Sequence, residues 1–114
     1  LTPRFAYLAQ LQAATWAARK ALEASGIPTD RIGVIVNTSV YRDFLEPGMA
    51  VCIHSELGLP ASCVCVDVTN ACVGMMNGLV TVASMIEAGV CEYGLVVDAE
   101  CAEVRHMHCT VHML

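Results

Sequence analysis

A strand of β-branched residues that runs through a cysteine into a glycine-bearing helix constrains this chain more than any other feature. The strand reads Ser62-Cys63-Val64-Cys65-Val66-Asp67-Val68, and the run DVTNACVGMMNGL carries residues 67–79 out of it. β-Branched side chains favour extended, pleated backbone, while Gly74 and Gly78 let the following helix lie close to a neighbour. The pattern places Cys72 in the first turn of that helix. A thiol there points at unpaired backbone N–H groups and at the positive end of the helix dipole, and both favour the thiolate. A nucleophile is one reading of Cys72; a buried core cysteine at a strand-to-helix turn is the other.

The rest of the chain repeats the alternation of short apolar strands with helices. Ala17, Ala18, Ala21 and Leu22 recur at helical spacing within an expected helix over residues 5–25, which Gly26 and Pro28 end. A buried strand is expected at 32–37, a loop through Pro47, and a helix at 48–57 that stops at Gly58. The second strand is 63–68. The cysteine-bearing helix follows at 72–88 with Gly89 as its cap, then a third strand at 94–98. Such an order gives an α/β layered sheet. No repeat, linker or low-complexity stretch interrupts it.

Composition narrows the class. The chain is 56% hydrophobic and 5% aromatic with a formal net charge of −5 and a positive mean hydropathy, which suits a heavily buried core. Its six basic residues, Arg4, Arg19, Lys20, Arg31, Arg42 and Arg105, form no stripe that would neutralise phosphates, so nucleic acid and anionic lipid are not expected partners. The long apolar stretch over 72–90 is broken by Asn77, Thr81, Ser84 and Glu87, as in a buried helix rather than a membrane span. No signal peptide is expected at the N-terminus. The seven cysteines contain no C-x-x-C, which disfavours a zinc or redox framework and points to free thiols in a cytoplasmic protein. Cys52, Cys63, Cys65 and Cys91 read as small core hydrophobes. His54 reads as a boundary residue of its helix. His106, His108 and His112 would share one face of a strand, but the stretch is expected to be unordered, and no metal site is assigned.

Six pieces in order carry a resemblance to a known family: IGVIVNTS (32–39), YRDFLEPGMA (41–50), HSELGLP (54–60), DVTNACVG with Cys72, the apolar helix after it, and YGLVVDAE (93–100). Together they resemble the thiolase superfamily in its β-ketoacyl-acyl carrier protein synthase III branch, over residues 19–100. Within that branch RDFLEP is similar to the olefin-pathway acyl-CoA condensing enzymes (OleA-type), which carry a glutamate where Glu46 stands. The resemblance implies a thiolase-like fold, of which residues 1–100 would form part of the N-terminal half of an αβαβα layered architecture, with 101–114 a tail of unclear origin. The chain is accordingly expected to be a fragment, because the family's catalytic histidine and asparagine belong to the second half.

The same resemblance implies roles. Cys72 would carry the acyl group, and Glu46 would reach a partner subunit's site and deprotonate a second acyl-CoA. Asn70 and Gly74 would line the substrate pocket, with Gly74 keeping the helix start clear for the acyl chain. Acyl-CoA or acyl-carrier-protein thioesters would be the substrates, no separate cofactor would be needed, and the protein would be a homodimer. The expected function is Claisen condensation through a cysteine acyl-enzyme. Two alternatives stand beside it: a synthase III that decarboxylates malonyl-acyl carrier protein, and a non-catalytic truncation that dimerises through strand 63–68. For Glu46 the plain reading is a solvated loop carboxylate, and Arg42 and Asp43 are expected to form a surface ion pair.

Overall fold

Apolar residues two apart on the strands and three to four apart on the helices sort this chain into layers. The computed structural model describes the backbone of residues 9–103 and 106–114 and the side chains of 10–100 and 110–114; the expected helical residues 5–8 lie outside that description. In order, the elements are α1 (Ala9–Ser25), a single 3-10 turn (Thr29–Arg31), β1 (Ile32–Asn37), α2 (Met49–Leu57), β2 (Val64–Asp67), α3 (Gly74–Glu87), β3 (Tyr93–Glu103) and β4 (His106–Met113). The sheet order is β2-β1-β3-β4, with β1 parallel to both of its neighbours and β4 antiparallel to β3.

Alternation along the strands supplies two cores. On one face Ile35 of β1 and Leu95, Val97 and Ala99 of β3 pack with Ala14, Ala18 and Leu22 of α1 and Ala50, Ile53 and Leu57 of α2. On the other, Val34, Val36 and Val96 meet Val82 of α3, with Met75, Leu79 and Ile86 at the margin. Ile32 joins the first face although its parity predicts the second, because the β1–β3 register shifts between Ile32 and Val34. The result is helix, sheet, helix, an α/β layered unit. Alanine-rich α1 ends at Gly26 with φ 67°, and α2 ends at Gly58 with φ 65°, the left-handed conformation that glycine adopts without strain.

Two expectations are corrected. The third strand does not stop at residue 98: β3 runs on to Glu103 because β4 pairs along it from Leu95↔Met113 to Glu103↔His106, so most of the segment read as unordered is an edge strand. The side chains of His106 and His108 lie outside the described residues, and His112 is exposed. The helix over 72–88 is shorter and only half buried. It opens at Gly74, and while Gly74, Gly78 and Val82 face the sheet, Met76 and Val80 are 58% and 63% exposed.

Candidate active site at the carboxyl ends of the parallel strands

Parallel strands that share one direction deliver their following loops to the same edge of the sheet, which is where crevices form in open α/β folds. Here β1 releases loop 38–48 and β2 releases loop 68–73. Both candidate catalytic residues stand on these loops, Glu46 on the first and Cys72 on the second.

The Cys72 loop is a tight turn. Val68 N–H donates to Asn37 O at 2.9 Å, Val73 N–H to Asn70 O at 3.0 Å and Gly74 N–H to Ala71 O at 3.1 Å. Ala71 has φ 43°, a left-handed conformation that costs an L-residue about 1–2 kcal/mol and that clusters at functional turns. Cys72 follows it, exposed, two residues before α3 begins. The sequence placed it in the first helical turn; the preceding turn with its strained Ala71 holds it instead. Asn70 is exposed and its Nδ2 donates to Asn77 Oδ1 at 2.8 Å, which ties the loop to the first turn of α3. Gly74 is buried, and a Cβ built there would lie 2.9 Å from Thr38 O. Close packing on the Thr38 backbone accounts for a glycine at this position.

Beneath this turn lies a polar cluster that the sequence reading missed. Asn37, Thr38 and Ser39 are fully buried. Ser39 Oγ donates to Asn37 Oδ1 at 2.8 Å and accepts from Ala99 N at 3.0 Å, and Thr38 Oγ1 donates to Asp98 Oδ2 at 2.9 Å. The signal was present in the motif IGVIVNTS, where three polar residues end an apolar strand. Buried polar groups are costly unless paired; the Thr38 and Ser39 hydroxyls and Asn37 Oδ1 are paired with one another or with β3, whereas the buried Asn37 Nδ2 meets no partner among the described residues.

The Glu46 loop is fastened by side chains from other elements. Glu100 accepts from Val40 N at 2.5 Å and Tyr41 N at 3.3 Å. Asp43 accepts from Leu11 N at 2.9 Å; partial burial raises its pKa and this hydrogen bond opposes the rise. Arg42 donates to Thr69 Oγ1 in the Cys72 loop. Arg42 and Asp43 therefore do not pair with each other as expected, since each finds a partner held in place by another element. Asp67, at the end of β2, accepts from Met49 N at 2.9 Å and Ala50 N at 2.8 Å and so caps α2. Glu46 itself is exposed, follows Leu45 (84% exposed), and precedes Pro47 through a cis peptide bond; residues 42–46 line an open hollow of about 420 Å³.

Of the other described cysteines, Cys63, Cys65 and Cys91 pack against the apolar cores, while Cys52 lies near Asp67, Asp43 and Glu56. Burial pushes Cys63 up to about 11 and also raises Cys52, Cys65 and Cys91. His54, on α2, donates from Nε2 to Pro60 O at 2.9 Å, a boundary position. Among the described cysteines the arrangement exposes one thiol, on a strained turn, with a carboxylate on the adjoining loop.

No family model matches the chain. It is 47% identical over 92 residues to the acyl-CoA:acyl-CoA alkyltransferase of Xanthomonas campestris, covering 81% of this chain and 27% of that protein. It is 38% identical over 86 residues to the Shewanella oneidensis protein of the same name, covering 75% and 25%. With the β-ketoacyl-[acyl-carrier-protein] synthase III of Rhizorhabdus wittichii it shares 39% over 87 residues, covering 76% and 27%. Among solved structures, Xanthomonas campestris OleA superposes with a TM-score of 0.78 at 46% identity, over 80% of this chain and 27% of that one. A 3-oxoacyl-(acyl carrier protein) synthase III from Xanthomonas oryzae pv. oryzae gives 0.78 at 49% identity over the same shares. The chain therefore spans about a quarter of the length of these relatives. Solved forms of the Xanthomonas campestris protein include one with a cysteine replaced by serine, holding lauric acid and lauroyl-CoA, and others with a glutamate or a histidine replaced.

Proposed function

We propose that this chain, which belongs to the thiolase-like family of OleA-type alkyltransferases and β-ketoacyl-acyl carrier protein synthases III, is the nucleophile-bearing part of an enzyme that condenses two acyl thioesters. The Cys72 thiolate attacks the carbonyl carbon of an acyl-CoA, the bond to the coenzyme A sulfur breaks, and the acyl group remains as a thioester on Cys72. Backbone N–H groups, that of Cys72 among them, stabilise the oxyanion of the tetrahedral intermediate. Glu46 from a partner copy removes an α-proton from a second acyl-CoA. The carbanion so formed attacks the Cys72 thioester, a carbon–carbon bond forms, and the cysteine leaves as thiolate with a β-keto acyl product released. The chemistry calls for acyl-CoA as substrate and for no separate cofactor. A homodimer is required to bring Glu46 to the partner's cysteine, and the exposed edge of β2 is the surface we assign to it. Free cysteines suit a cytoplasmic protein; no described helix is long and apolar enough to cross a membrane.

The observation that carries this reading is the exposed Cys72 on a strained turn whose loop is hydrogen-bonded to the loop bearing Glu46. Spacing supports it: the glutamate and the cysteine replaced in the Xanthomonas campestris structures stand as far apart as Glu46 and Cys72 do here. The histidine replaced in other forms lies further past that cysteine than this chain extends past Cys72. A second reading, decarboxylative condensation with malonyl-acyl carrier protein, draws on the 49% identity to the Xanthomonas oryzae synthase III; in it Glu46 has no catalytic task.

The two are separated by Glu46→Ala in the full-length protein that carries this segment. Acylation of Cys72, read as thiol released from acyl-CoA, should persist, while condensation of two acyl-CoA molecules should fall by about 10²-fold or more, the usual effect of losing a general base. Equal loss of both half-reactions would assign Glu46 a structural part. Undiminished condensation with a malonyl substrate would favour the synthase III reading.

A further inference from the structure

We propose that Arg42 is a positioning residue: through Thr69 it locks the Glu46 loop to the Cys72 loop of its own chain and fixes where the Glu46 carboxylate is presented. The inference rests on the assignment of Glu46 as the base in the preceding section. It starts from how loop 38–48 is held. Glu100 takes the N–H groups of Val40 and Tyr41, Asp43 takes that of Leu11, and Asp67 takes those of Met49 and Ala50. These contacts secure the two ends of the loop and its middle to β3, α1 and β2. The bond from Arg42 is different in its destination, since it reaches the 68–73 turn.

Its geometry joins the two reactive residues by the short way. Arg42 stands four residues before Glu46, and Thr69 three before Cys72. The Thr69 hydroxyl accepts from the guanidinium and donates onward to Ser39 O at 3.4 Å, a consistent chain because a hydroxyl offers one donor and accepts at its lone pairs. Ser39 is itself fully buried and bonded to Asn37 and Ala99, so the chain ends on a buried, hydrogen-bonded residue. Arg42 thus ties an exposed loop tip, where Leu45 and Glu46 face solvent, through Thr69 to the buried Asn37-Thr38-Ser39 cluster.

The energetic scale decides what the bond is for. Hydrogen bonds on an exposed surface add little to global stability. Placement matters far more to a proton transfer, where a displacement of about 1 Å can cost about 10²-fold in rate. Loss of the bond should therefore show in loop order and in condensation, not in unfolding.

The test uses the full-length protein with Arg42→Met, Arg42→Lys, Thr69→Val and the Arg42→Met/Thr69→Val pair. Hydrogen exchange over residues 40–47 should speed up in Arg42→Met and in Thr69→Val. Acylation of Cys72 should stay within about twofold of the parent while condensation falls about 10-fold to 100-fold, on the scale set by misplacement. The double variant should be no worse than the poorer single one, since both remove the same bond, and Arg42→Lys should recover part of the rate by keeping a donor. Unchanged exchange in Arg42→Met, losses that multiply in the double variant, or acylation falling in step with condensation would each overturn the proposal. Glu46→Ala run in parallel separates the two ideas. If it suppresses condensation and Arg42→Met does not, the positioning role alone fails; if it leaves condensation intact, the base assignment fails and takes this proposal with it.

Discussion

Cysteine residues show most directly how surroundings turn one side chain into different chemistry. Cys63 is buried against the first core, and removal from water disfavours its thiolate, which pushes its pKa up to about 11. Cys52, Cys65 and Cys91 shift the same way for the same first reason. Cys72 alone among the five described cysteines is exposed. Because the thiolate is the reacting form, limiting iodoacetamide at pH 8 should label Cys72 first among these five in folded protein. Labelling of Cys63 should still climb about tenfold per pH unit up to pH 10, because its thiolate fraction rises in proportion to hydroxide until its pKa is passed. Mass-mapped time courses would show both, and faster labelling of Cys52 or Cys91 than of Cys72 would remove the nucleophile assignment. The contrast between Cys72 and the apolar cysteines was legible in the sequence, since the latter lie in β-branched or helical apolar runs. The turn that presents Cys72 was not, because nothing in the letters marks Ala71 as left-handed.

At the scale of elements, Asp67 binds the site together. It ends β2 and bonds the first two N–H groups of α2, satisfying donors that no residue of α2 can reach and placing a carboxylate at the positive end of that helix. The local residue at the cap position, Gly48, makes no side-chain bond, and a Cβ built on it would stand 2.9 Å from Asp67 Oδ2. Asp67→Ala should therefore destabilise the protein by about 0.5–2 kcal/mol, the range for loss of a helix cap, with Asp67→Asn losing less because its amide oxygen still accepts. Urea unfolding would measure both. A loss below about 0.5 kcal/mol for Asp67→Ala, smaller than cap deletions give, would mean that water replaces the carboxylate. The helix boundaries were legible from Gly58 and Pro47, yet the capping residue was not. It lies eighteen positions further along the chain, and only the parallel pairing of β1 with β2 brings it there.

For the whole molecule, the uncovered surfaces are as informative as the cores. The sheet ends at β2 on one side, where Val64 is 39% exposed, and Val73, just before α3, with Met76 and Val80 of α3, faces outward in a stripe at helical spacing. An open strand edge invites pairing with another strand. In the full-length protein, Val64→Lys should shift the proposed dimer toward monomer in sedimentation velocity and slow condensation along with it, since Glu46 is assigned to act across that contact. An unchanged dimer would place the interface away from β2. The edge β4 was missed for a physical reason: its residues resemble none of the family pieces, and a strand that gains its hydrogen bonds only from β3 carries no local signature strong enough to declare it.

The sequence by itself determined the alternation of strands and helices, the thiol at a strand-to-helix junction and the glutamate four residues after Arg42, because period, turn residues and motif order are local properties of the chain. Tertiary structure alone decided that Ser39, Thr69 and Arg42 form one line, that Asp67 caps α2, that Gly74 rests on Thr38 O, and that Arg42 and Asp43 part company. Each of those contacts joins residues whose separation is bridged by sheet pairing or by packing on the sheet, and hydrogen-bond partners of that kind are fixed by register rather than by residue type.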